Sequence, residues 1–154
     1  ASRAAALSAE LKEKEREISS LEAEIAASKT ADLMKDAKQI GGVRLVTADI
    51  GEAGADALRS LCDKALESGD DIIAVFAGKN AEKGTASFAC RVGKKAIECG
   101  AHAGNIVREV ARVAGGAGGG KPDSAMAGAK DVSKIPEALK KASEIVGAML
   151  LGKR

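Results

Sequence analysis

Asp71-Ile72-Ile73-Ala74-Val75-Phe76-Ala77 is a nearly continuous apolar run, and its reading decides the fold. A strand with one face in water alternates apolar and polar side chains. A run that is apolar at almost every position fits a strand covered on both faces, hence a central place in a sheet. The segments on either side must then supply the neighbouring strands and the helices that cover them.

Upstream, Val43–Ile50 reads as a second strand, with Val43, Leu45 and Thr47 alternating against Arg44 and Val46. Gly51–Gly54 makes a turn. Ala55–Ser68 follows as an amphipathic helix whose apolar stripe is Ala57, Leu58, Leu61, Cys62, Ala65 and Leu66. Downstream, Gly78–Gly84 is a polar loop, and Thr85–Val92 alternates again, which predicts a hairpin with the central strand. A short helical piece around Lys94–Cys99 leads to a helix over His102–Ala114, with Ile106, Val107, Val110 and Val113 on one face. Ala125–Ala129 supplies one more strand, and Ser133–Leu151 closes the chain as a helix with Ser133 as its N-cap. The order β-α-β-β-α-β-α predicts an α/β domain with a mixed sheet flanked by helices.

Residues 1–38 read as one long helix. Ala4, Leu11, Ile18 and Ile25 occupy heptad position a, with Leu7 and Leu21 at d; Lys14, Ser28 and Asp32 break the repeat. No Gly or Pro occurs before Gly41, and Gly41–Gly42 is expected to end the helix. The expected organisation is a coiled-coil-like helical subdomain over 1–40 and a globular domain over 41–154. Such a helix must pair with another or project as a lever. The opening inside a charged helix, without Met, points to a segment of a longer protein.

Between the expected helix over His102–Ala114 and the expected strand over Ala125–Ala129 stands Gly115-Gly116-Ala117-Gly118-Gly119-Gly120-Lys121-Pro122. Five glycines in six positions cost more conformational entropy than ending a helix requires. The excess suggests a glycine-rich loop whose backbone approaches something closely, and a row of backbone N–H groups beside Lys121 suits a phosphate oxygen. A flexible or tightly packed connector fits the same composition. The run is not a P-loop, since Pro122 follows the lysine where Ser or Thr is required, and the helix precedes the loop. The same order excludes a Rossmann fingerprint.

The chain is 154 residues long with a net charge of +2. Residues 1–38 carry seven basic and eight acidic groups and the remainder seventeen and fourteen, giving −1 and +3. Between Lys79 and Lys121 the basic residues Lys79, Lys83, Arg91, Lys94, Lys95, Arg108, Arg112 and Lys121 face only Glu82, Glu98 and Glu109. That local excess suits an anionic partner, as well as an ordinary solvated surface. Aromatic residues are only Phe76 and Phe88, which leaves few platforms for stacking bases. Cys62, Cys90 and Cys99 form no paired motif, which argues against a disulfide framework and for a reducing, cytoplasmic setting. No metal-ligand spacing and no catalytic constellation emerges around the single histidine, His102, so neither a metal site nor an enzyme active site is expected in this segment. No run of about 18 apolar residues indicates a membrane span.

Three blocks form a set: His102-Ala103-Gly104-Asn105-Ile106-Val107-Arg108-Glu109-Val110-Ala111, then Gly115–Gly120 with Lys121-Pro122, then Ala125-Met126-Ala127-Gly128. Together they resemble the C-terminal domain of alanyl-tRNA synthetases, a domain also found beside the Asp-His-His phosphoesterase core. The resemblance covers about residues 41–151, and the leading helix resembles the helical subdomain that joins it to the editing domain. It implies a tRNA-binding appendage that grips the elbow of an alanine-specific tRNA and couples aminoacylation to editing, and in many members a homodimer. If RNA is bound, the basic stretch, the start of the His102 helix and the glycine run are expected to carry the contact, which makes the candidate RNA-binding residues Lys79, Lys83, Arg91, Lys94, Lys95, His102, Asn105, Arg108, Arg112, Gly115, Gly116, Gly118, Gly119, Gly120 and Lys121. ATP and zinc would belong to other domains of the parent alanine–tRNA ligase. DNA could use the same basic patch. The alternatives are a homodimerisation module and the nucleotide-contacting domain of a phosphoesterase.

Overall fold

The computed structural model describes residues 5–18, 35, 37–80 and 82–151. Helix α1 spans 5–18. The rest of the described chain runs β1 (Lys38–Ile40), β2 (Val43–Glu52), α2 (Ala55–Leu66), β3 (Ile72–Asn80), β4 (Thr85–Val92), α3 (Lys94–Glu98), α4 (Ala103–Val113), β5 (Ala117–Gly120), β6 (Ser124–Ala129), a 3₁₀ turn (Val132–Lys134) and α5 (Ile135–Leu151). The expected α/β class, with a mixed sheet flanked by helices, is what forms.

The six strands lie in the order β1-β2-β3-β4-β6-β5. Only β2 and β3 are parallel, as their connection through α2 requires. Strand β3 is central, and Ile72 through Gly78 are all buried. Its alternate side chains enter two cores. Phe76, Ile72 and Ala74 pack with Leu58, Leu61, Cys62 and Ala65 of α2 on one face. Ile73, Val75 and Ala77 join Phe88 of β4, Ile106, Val107 and Val110 of α4, and Ile135, Ala138, Ala142 and Val146 of α5 on the other. Alanines throughout this second core let two helices sit close to the sheet.

Several local expectations are corrected. Lys38–Ile40 does not continue a helix but forms a strand antiparallel to β2, with Ile40 opposite Val43. Gly41 and Gly42 both have positive φ, 55° and 89°, and so make a two-residue hairpin turn rather than a helix end. The heptad positions Ala4, Leu21 and Ile25 lie outside the described residues. At the other end Asp131, not Ser133, supplies the cap, accepting the Ser133 N–H at 3.0 Å. The 3₁₀ turn follows that cap, and Pro136 falls at the second residue of α5, where its missing N–H costs no helical hydrogen bond. Most consequentially, the glycine-rich stretch is not a loop. Ala117–Gly120 is a strand at the sheet edge, antiparallel to β6.

A clamp closes the end of the sheet where β2 and β3 begin. The Arg44 guanidinium donates to both Asp71 carboxylate oxygens, Nη2 to Oδ1 at 2.9 Å and Nε to Oδ2 at 3.2 Å. This pairing holds the Asp71 carboxyl below the usual carboxylate range. Gly69 lies beneath the pair, where a β-carbon would come within 2.8 Å of both partners.

Candidate nucleic-acid interface

Helix α4 carries one helical face into the core and the other, with Asn105, Arg108, Glu109 and Arg112, into solvent. Its N-terminus is capped by the His102 side chain, whose Nδ1 accepts the Asn105 N–H at 3.2 Å. The Ala103 N–H donates to Pro122 O at 2.9 Å, which ties this end of the helix to the β5–β6 turn and brings Lys121 beside it. Val92 N–H donates to Asp123 O at 2.9 Å, so the end of β4 joins the same corner. At the far end Asp131 N–H reaches Ala114 O at 3.2 Å, so α4 runs the length of β6.

The glycines divide by what each does. Gly115 ends α4 with φ 69°; its N–H donates to Arg112 O and the Gly116 N–H to Ala111 O, at 3.1 and 2.8 Å. That pair of bonds is the Schellman arrangement, which needs a residue comfortable in the left-handed region. Gly116, Gly118 and Gly120 have ordinary φ, but each would drive a β-carbon into β6. At 116 it would lie 2.5 Å from Ala129 Cα, at 118 it would overlap Ala127, and at 120 it would sit 2.7 Å from Ala125 Cα. The backbone therefore does approach something closely, and that something is its own sheet. Gly104 plays the same part from the helix side, since its β-carbon would come 2.6 Å from Gly120 O. Sequence reasoning passed over Gly104, although it stands inside the quoted His102–Ala111 block. Gly119 is different: among the described residues the only atom near its missing β-carbon is Arg108 Nη2, at 3.6 Å.

The basic residues do not form a single patch. His102, Asn105, Arg108, Gly119, Gly120 and Lys121 gather where α4 begins and β5 turns into β6. Lys94 and Lys95, the exposed first residues of α3, follow β4 at this same end of the sheet. Lys79, at the far end, pairs across β4 with Ala86, which pairs with Ala129. Five residues of strand separate that row from the Arg91–Ser124 row, roughly 17 Å. Lys83, in the turn after β3, and Arg112, at the end of α4, share the Lys79 end, as does Lys130, which the charge reading left out. Arg91 belongs to neither group. It turns to the α2 face, where its Nε lies 2.8 Å from Asp63 Oδ1, an ion pair without hydrogen-bond alignment.

The free cations are those without acids. Arg112 is paired with Glu109 at 3.0 Å, whereas no partner for Arg108 or Lys121 is found among the described residues. Phe76 and Phe88 are both fully buried, so neither of the chain's aromatic side chains offers a stacking surface. Among the described residues no group of three or more His, Cys, Asp or Glu could hold a metal ion, and no helix is long and apolar enough to cross a membrane. The corner can therefore offer an anion two exposed cations.

The profile of the DHHA1 domain family matches residues 42–148. The chain is 39% identical over 144 residues to the alanine–tRNA ligase of Alkaliphilus oremlandii, covering 94% of this chain and 16% of that protein. It is 39% identical over 140 residues to the alanine–tRNA ligase of Shouchella clausii, covering 91% of this chain and 16% of that one. The chain thus spans about a sixth of the length of these relatives. Among solved structures, the C-Ala domain of Aquifex aeolicus alanyl-tRNA synthetase superposes with a TM-score of 0.65 at 29% identity, covering 72% of this chain and 97% of that domain. A DHH-domain protein described as a member of the s1p family of ribosomal proteins gives a TM-score of 0.55 at 15% identity, over 80% of this chain and 30% of that one; this likeness is one of fold alone.

Proposed function

The chain belongs to the DHHA1 domain family, and from that premise we propose that it is the C-terminal tRNA-binding appendage of an alanine–tRNA ligase, gripping the tRNA elbow and linking aminoacylation to editing. The observation that carries this reading is the corner where Asn105, Arg108 and Lys121 stand exposed beside β5, the two cations without acidic partners among the described residues. Phosphate contacts from such residues give binding that weakens steeply with salt. With both phenylalanines buried, recognition rests on backbone, small aliphatic surface and cations, which reads the shape of a folded RNA.

The experiment is filter binding of whole alanine tRNA and of the same tRNA with its elbow disrupted, for the parent chain and the double variant Arg108→Ala with Lys121→Ala. We expect the disrupted tRNA to bind more weakly. The double variant should lower the salt slope by about two, roughly one per lost phosphate contact. Unchanged affinity of the double variant at low salt removes the basic corner from the reading. Equal competition by duplex DNA would reduce it to general nucleic-acid binding.

A second reading is supported by α1, where Leu7, Leu11 and Ile18 are 62%, 61% and 55% exposed along the heptad stripe. Pairing with the same stripe of a second copy would cover them. Light scattering over a range of concentrations tests this, and a concentration-independent monomer that still binds tRNA removes it.

A further inference from the structure

Four of the five glycines between 115 and 120 are accounted for by the fold: one needs a left-handed φ and three would collide with β6. Gly119 is not. Its φ lies outside the left-handed region, and among the described residues a β-carbon there would meet nothing but the end of the Arg108 side chain. Alanine would satisfy the strand equally well, and a larger side chain would fill the space the guanidinium occupies.

We infer that Gly119 is a positioning residue for Arg108, its bare backbone forming the seat on which the guanidinium lies so that it meets an RNA phosphate already placed. This inference rests on the tRNA-binding reading above and names one contact within it. Arg108 projects from the exposed face of α4 with no acid or carbonyl partner among the described residues. Arg112, one turn later, is held by Glu109 instead. A long unpaired side chain loses rotamer freedom on binding, and a flat seat removes part of that loss beforehand. The planar fork of donors that results matches phosphate geometry better than an ammonium does. Lys121 is two residues along the chain from the seat, and Asn105 is one helical turn from Arg108, so the surroundings favour an anion with several oxygens. Both phenylalanines lie inside, which argues against a base as the group contacted.

The test uses the full chain and alanine tRNA, with Gly119→Val, Arg108→Ala and their combination, measured by filter binding across a salt series. Gly119→Val should weaken binding about three- to tenfold and lower the salt slope by about one, as Arg108→Ala does. The combined variant should bind no worse than Arg108→Ala alone, because the glycine acts only through the arginine. Gly119→Ala should keep the parent's affinity. Should valine depress the melting temperature, Gly119→Ser carries the comparison, its Oγ reaching the same seat with less bulk. The steady-state ¹H–¹⁵N NOE of the Arg108 Nε, measured by NMR without RNA, should be higher in the parent than in Gly119→Val, because the seated side chain moves less. Additive losses, parental binding by the valine variant, or an unaltered NOE each overturn the inference. A parent that fails to bind tRNA at low salt, with the NOE difference present, removes the tRNA reading and the phosphate contact while leaving the seat.

Discussion

Strands β3 and β5 lie in one sheet and are held by opposite means. In β3 every residue from Ile72 to Gly78 is buried, and its side chains fill two cores at once. In β5 there are almost no side chains, and the strand is held by their absence, which lets its backbone lie against β6 and under α4. The first kind of strand is stabilised by apolar area removed from water, the second by close approach at an edge. The difference teaches that a glycine run is not necessarily a flexible one. Here it is a tightly packed edge on which one position is left clear.

The comparison can be broken most forcefully at its buried end. Phe76→Ala would empty a fully buried ring site in the α2 core, and we expect a loss of about 3–5 kcal/mol in urea unfolding. A loss below about 1 kcal/mol would mean that the α2 face is not the packed layer described. At the edge, Gly118→Ala adds a single carbon, yet it overlaps Ala127. Its expected cost is about 3 kcal/mol, at the top of the range for overpacking. The same change at Gly119 should stay within about 0.5 kcal/mol, as open surface positions do. Equal melting temperatures for the two alanine variants would erase the distinction between packed and clear glycines.

A separate effect is one of pH. Burial in the α2 core, with a contribution from Asp63, pushes the Cys62 thiol up to about 12. The unfolded thiol ionises near 8.5, so the folded chain releases this proton later than the unfolded one. The associated stability is fully present below about pH 8.5 and is lost as pH rises toward 12, at most about 1.4 kcal/mol per pH unit. Unfolding measured at pH 8 and pH 10 should therefore show a decline that is shallower in Cys62→Ala. An identical decline in both proteins would place the thiol in contact with water.

Much of this was legible in sequence. The run Asp71–Ala77 is so consistently apolar that only a strand covered on both faces suits it, and the helices over Ala55–Leu66 and Ala103–Val113 announce themselves by stripes of 3.6-residue period. The three quoted blocks around His102, Gly115 and Ala125 carried the family. Less was legible at Lys38–Ile40, where three residues with no clear period look like the end of a helix until β2 pairs with them. The basic residues were legible as a count but not as a surface. Arg91 alternates onto the α2 face, and Lys79 and Lys121 stand at opposite ends of the sheet.

Side-chain periodicity, then, was enough by itself to determine the class of fold, the central strand and the main faces that α2 and α4 bury, because a side chain's polarity records which way it points. Glycine has no side chain and leaves no such record. A left-handed cap at Gly115, a collision avoided at Gly118 and a seat left open at Gly119 read identically along the chain. Only the tertiary structure, by placing β6 beside one position and Arg108 beside another, decided what each glycine is for.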